Sequence, residues 1–159
     1  MKKKLIAFFA AAMLCVTLAG CEKDNSGKSP SERTSELTST LSEAAADAGT
    51  GIPEMVSVTA GTLHDRFLID EADVTDFSAY VCGNGSSPRE YGVFNAKDED
   101  AATRISDALK AHVEMQRKTF STYKPDEMYK FDDSFVDING TVVSYAVCED
   151  NDRAKALLG

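Results

Sequence analysis

Tryptophan is absent from the 159 residues, and only 8% are aromatic, so a site that grips sugar rings by stacking has little to work with. Histidine occurs twice, as His64 and His112, and neither stands in an HExxH pattern, which leaves no paired imidazoles for a metal. No block of basic residues occurs: 17 Lys+Arg face 26 Asp+Glu, a formal charge of −9. That balance excludes a nucleic-acid surface, because neutralising phosphates takes clustered Lys and Arg. GxSxG, CxxC, Walker and haem-attachment motifs are all missing. No apolar run reaches the roughly 20 residues that a helix needs to cross a bilayer. What remains is a chain 43% hydrophobic, enough for one ordinary domain and too apolar for full disorder.

The longest apolar run is Leu5 to Leu18, 14 residues interrupted only by Thr17 and preceded by Lys2, Lys3 and Lys4. A charged start and a short apolar core suit a secretory signal segment. Leu18-Ala19-Gly20-Cys21 follows and resembles the lipobox of bacterial lipoproteins. The resemblance implies cleavage between Gly20 and Cys21. It also implies a lipid on the Cys21 thiol, which becomes the new N-terminus and holds the protein on the outer face of the cell membrane. Without residues 1–20 the chain carries 14 basic and 26 acidic residues, a net charge of −12.

Glu22 to Arg33 holds no apolar residue beyond Pro30, so residues 21–34 should form a disordered tether. From Ser35 to Ala48, Leu37, Leu41, Ala44, Ala45 and Ala48 recur at helical spacing, with Ser35 as the candidate N-cap and Gly49, Gly51 and Pro53 as the stop. This segment, 35–51, reads as a helical stalk or a docking helix. Residues 52–159 read as a single globular domain.

Within that domain, Met55 to Thr59 is a candidate first strand and Thr62 to Val74 holds a helical turn or two. Asp76 to Cys82 alternates, with Phe77, Ala79 and Val81 against Ser78, Tyr80 and Cys82, and Glu90 to Ala96 pairs with it through a Gly-rich loop. Asp98 caps a long helix that runs to Tyr123 and stops at Pro125. Ala102, Ile105, Leu109, Val113, Phe120 and Tyr123 share its apolar face with the polar His112 and Gln116. Asn139-Gly140 joins Ser134–Ile138 to Thr141–Cys148 as a type I′ hairpin, which pairs Ile138 with Thr141 and Val136 with Val143. Asp150 or Asn151 caps a last short helix. The order ββ-α-ββ-α predicts an α+β fold: an antiparallel sheet of two hairpins, covered on one face by the long helix.

Tyr91-Gly92-Val93-Phe94-Asn95-Ala96-Lys97-Asp98, the long helix with Gln116, Phe120, Tyr123 and Pro125, and the hairpin with Gly140 at its turn form a spread pattern over Leu68 to Leu158. In these features the chain resembles the bacterial secreted lipoproteins catalogued as domain of unknown function 4358. The resemblance implies a lipid-anchored exported protein and no known activity. Cys82 and Cys148 depart from its pattern.

Cys15 leaves with the signal segment and Cys21 is the lipidation candidate, so Cys82 and Cys148 remain as a pair outside the cytosol. A disulfide between them would enclose 65 residues and add about 4 kcal/mol by loop entropy; two separate thiols are the other reading. The acidic run Asp132, Asp133, Asp137 fails as an EF-hand, since Gly140 in sixth place puts Phe135 first and Ala146 twelfth. His112, Gln116 and Tyr123 form a candidate polar site on the core face of the long helix. No thiol or serine is positioned by sequence to use His112 as a base, so a hydrogen-bonded structural pair is the plainer reading. No cofactor and no metal are expected. The sequence therefore favours a non-catalytic module that binds an envelope protein or a small ligand. A surface hydrolase, or an accessory subunit of an envelope transporter or secretion complex, is the alternative.

Overall fold

The computed structural model describes Asn25 and residues 27–159; the predicted signal segment and Cys21 lie outside the described residues. The elements are α1 (Pro30–Asp47), β1 (Met55–Ser57), α2 (Ala60–Phe67), a 3-10 turn (Glu71–Asp73), β2 (Val74–Cys82), β3 (Glu90–Ala96), α3 (Glu99–Tyr123), a 3-10 segment (Pro125–Phe131), β4 (Phe135–Asn139), β5 (Val142–Val147) and α4 (Asn151–Leu158).

The five strands make one antiparallel sheet in the order β1-β2-β3-β5-β4. The two expected hairpins are present, and β3 against β5 joins them. Strand alternation sends Phe77, Ala79, Val81, Phe94, Val136, Val143, Tyr145 and Val147 to one face, where Ile105, Leu109, Val113 and Phe120 of α3 cover them. The long helix thus covers one face of the sheet, as expected. Asp98 caps that helix as predicted, accepting from the Ala101 N–H at 2.7 Å.

The opposite face is covered too, by α1 and α4. Leu37 and Leu41 of α1 and Leu157 and Leu158 of α4 bury against Tyr91, Val93, Ala146 and Cys148. The expected tether over 21–34 is therefore corrected from its middle onward: residues 30–34 are the first turns of α1, and Arg33 and Thr34 are buried. The N-cap is Ser29, not Ser35. Ser29 and Glu32 form a capping box in which the Glu32 N–H donates to Ser29 Oγ and the Ser29 N–H donates to Glu32 Oε2, with Pro30 just inside the helix. Nor is α1 a stalk. Thr38 Oγ1 meets Tyr91 Oη at 2.8 Å and Thr34 Oγ1 meets Ser78 Oγ at 2.7 Å, which fastens it to the sheet and makes it part of the same domain as residues 52–159.

The β4–β5 hairpin is shifted by one residue on each strand. Ile138 faces Val143 and Val136 faces Tyr145, so the two loop residues are Gly140 and Thr141. Only Gly140 has positive φ, at 60°, whereas a type I′ turn on Asn139-Gly140 would need it at both. A shift of one on each strand keeps parity, so the predicted faces stand.

Cys82 and Cys148 are free thiols, so of the two readings the separate thiols hold and the disulfide does not. Val81 pairs with Glu90, and Glu90 pairs with Val147. Extended by one residue, that register sets Cys82, Arg89 and Cys148 in a single row across the sheet. Two strand spacings put the outer members roughly 9.6 Å apart, beyond the roughly 7 Å that a disulfide spans between Cα atoms, and Arg89 stands between them.

Candidate functional site

His112 projects from α3 onto the start of β3, where its Nε2 meets Glu90 Oε2 at 2.9 Å. Both are buried: His112 is 7% exposed and Glu90 2%. With Glu90 as a carboxylate, the Nε2–H donates. Phe67 of α2 closes the pair with an edge contact at 5.0 Å to the imidazole and another at 5.7 Å to Tyr145. Glu90 Oε1, His112 Nδ1 and Tyr145 Oη have no hydrogen-bond partner among the described residues. Burial, then the Glu90 charge, drives the Tyr145 phenol well above its ordinary pKa.

The predicted trio is only partly assembled. His112 is in the core, Gln116 is half-buried, and Tyr123 is 63% exposed at the helix end, off the core face. The partner of His112 is Glu90, not Gln116. Gln116 and Tyr123 instead line a pocket of about 400 Å³ together with Arg66, Cys82, Glu90 and Phe120, and His112 is not among its walls. Strand parity held the missed signal: Glu90 lies in register with Gly92, Phe94 and Ala96, all on the α3 face, so an inward carboxylate was legible there.

A larger groove, about 630 Å³, opens on the other side of the 86–89 loop. One wall is apolar, from Leu41, Ala44, Ala45 and Ala48 of α1 on to Ile52 and Pro53. The other is ionic. Arg89 and Lys130, each about 5% exposed, both bond to Glu149; Lys130 also pairs with Glu127, which accepts from Ser87 Oγ at 2.7 Å. Burial works against the Lys130 charge, but Glu127 and Glu149 outweigh it and raise its pKa. Burial likewise works against the Glu127 charge, and the bonds from Lys130 and Ser87 reverse that and lower its pKa. Lys124 and Arg153 add cations at the rim, so basic side chains outnumber acidic ones along the wall of an acidic protein.

Asn151 holds this wall together. Its amide donates to the carbonyls of Lys130 and Asp132 and its oxygen accepts from the Cys148 N–H, which ties the 3-10 segment to the β5–α4 turn. The α4 cap is Asp150, accepting from the Arg153 N–H. Of the acidic run, Asp137 pairs with Lys155 at 2.8 Å. Nothing in the sequence flagged the groove, because its residues come from four separate stretches of chain.

The model of one protein family matches residues 49–148 and spans all five strands with α2 and α3. The chain belongs to the family described as Domain of unknown function (DUF4358). Helices α1 and α4, which cover the second face of the sheet, lie outside the matched stretch. Comparison with curated proteins and with solved structures finds no match. Among the described residues, no helix is long and apolar enough to cross a membrane.

Proposed function

We propose that this member of the DUF4358 family is a lipid-anchored module on the outer face of the cell membrane, and that it binds a ligand or an envelope partner without chemical turnover. The groove between α1 and the Arg89–Glu149–Lys130–Glu127 network carries the binding half of the reading. Buried ion pairs with their geometry already set are ready to exchange one partner for a ligand's charge, and the apolar wall opposite takes its hydrocarbon. The lipobox residues Leu18 to Cys21 carry the anchoring half. A hydrolase built on His112 has less support, since the imidazole is spent on Glu90 and does not line the neighbouring pocket.

Two measurements test this. Mass analysis of the N-terminal peptide from native membranes should find a diacylglyceryl-modified Cys21, and an unmodified N-terminus removes the anchor. A thermal-shift screen of small anionic and zwitterionic compounds should give hits that Arg153→Glu abolishes. Hits indifferent to that charge reversal would move the site elsewhere.

A further inference from the structure

The position of Asn25 fixes how such an anchored protein would sit. Its side-chain amide donates to the carbonyls of Ala156 at 3.1 Å and Gly159 at 2.9 Å. Its own carbonyl accepts from Arg33 Nη2 at 2.8 Å and from the Lys28 N–H at 3.1 Å. Arg33 Nη1 donates to Leu158 O at 3.0 Å. Asn25 and Arg33 are 5% and 9% exposed. The start of α1 and the end of α4 are thus latched together, and the latch closes on a residue only four positions after Cys21. Four residues of extended chain reach at most about 14 Å.

The two pockets lie at the other pole. Helices α1 and α4 run antiparallel, with Arg33 at Leu158 and the far half of α1 facing Asp150 and Arg153 across the groove. The helix has 18 residues, about 27 Å at 1.5 Å per residue. Both pockets are lined by Ser87 and Arg89 and share that pole.

We infer that the anchor is a short leash: the α1-start/α4-end pole rests at the lipid headgroups and both pockets face away from the membrane. This rests on the lipoprotein reading above. It replaces a long spacer with a fixed orientation, so a ligand reaches the groove from the outside and not along the bilayer.

Because the chain has no tryptophan, one introduced residue gives a single fluorescent donor. The acylated full-length protein would carry Ser31→Trp at the latched pole or Thr50→Trp at the far end of α1, both exposed positions. Each is reconstituted into phosphatidylcholine vesicles containing a dansyl-headgroup lipid. Energy transfer should be several-fold stronger from the Ser31→Trp protein. A twelve-residue Gly/Ser insertion between Asp24 and Asn25, which leaves the latch intact, should weaken transfer from both and shrink the difference. Equal transfer from the two donors, stronger transfer from Thr50→Trp, or no response to the insertion would overturn the orientation. Failure of the anchor itself looks different: neither protein stays with the vesicles, Cys21 carries no lipid, and the leash falls with it.

Discussion

His112 on α3 and Glu90 on β3 are joined by a 2.9 Å hydrogen bond inside the apolar layer between the helix and the sheet. Ile105, Leu109 and Val113 would pack the helix at several rotations or slides along its axis. One buried polar pair specifies a single register, since any other leaves a carboxylate and an imidazole unpaired.

That view makes the pair costly to break and cheaper to replace whole. His112→Leu or Glu90→Leu alone should destabilise the domain by about 3 kcal/mol, because each strands a buried polar partner. The double variant should cost clearly less than the sum of the two. Urea unfolding of the four proteins in a double-mutant cycle measures the coupling. Additive losses would mean that the two side chains act independently.

Gly92 should tolerate nothing larger. It faces Ala79 and Tyr145 on neighbouring strands, and a Cβ built there would stand 2.7 Å from Ala79 Cβ and 3.0 Å from Tyr145 Cε1. Tyr145 lies over β3 only because position 92 has no side chain. Gly92→Ala should cost about 1–3 kcal/mol through overpacking. Pairing it with Ala79→Gly should recover part of that loss, and a midpoint that does not recover would place the clash elsewhere.

The elements of the domain were legible because their signals are local. Alternation in Asp76–Cys82, the Asp98 cap and the 3.6-residue period of α3 each sit within a few residues. The faces of β4 and β5 also followed from alternation, although the turn was placed one residue early: Asn139-Gly140 is a common turn pair, but here Asn139 is paired with Val142. The polar stretch before Ser35 misled for a different reason. Composition shows that a segment cannot build a core alone, yet Arg33 and Asn25 are held by carbonyls more than 120 residues away. The polar site was half visible. His112 stood out on an apolar helix face, while Glu90 is on another element and is matched to it only by the packing.

On the acid side, Asp73 should govern a loss of stability. Bonds from Arg104, then Lys97, hold its carboxyl well below the usual carboxylate range. A depressed folded value means that the contribution is whole above an unfolded pKa of about 4 and drains away as pH falls further. Urea midpoints of the wild type and Asp73→Asn should differ most near pH 6 and draw steadily closer as pH falls from 4 towards 2. A gap that stays constant across that range would assign the effect to packing alone.

On the alkaline side, the corresponding group is Cys148, 1% exposed, whose thiol burial pushes up to about 12. The folded protein keeps this proton where the unfolded chain, with an ordinary thiol near 8.5, has released it. The unfolded state therefore binds fewer protons, and stability falls as pH rises between those values, by up to about 1.4 kcal/mol per pH unit. Between pH 9 and 10, below ordinary tyrosine ionisation, the stability of Cys148→Ala should decline less steeply than that of the wild type. The same burial predicts that iodoacetamide at pH 8 leaves Cys148 unmodified in the native protein and alkylates it in urea. Rapid native alkylation would contradict both the burial and the raised pKa, and would reopen the question of what lies over that end of β5.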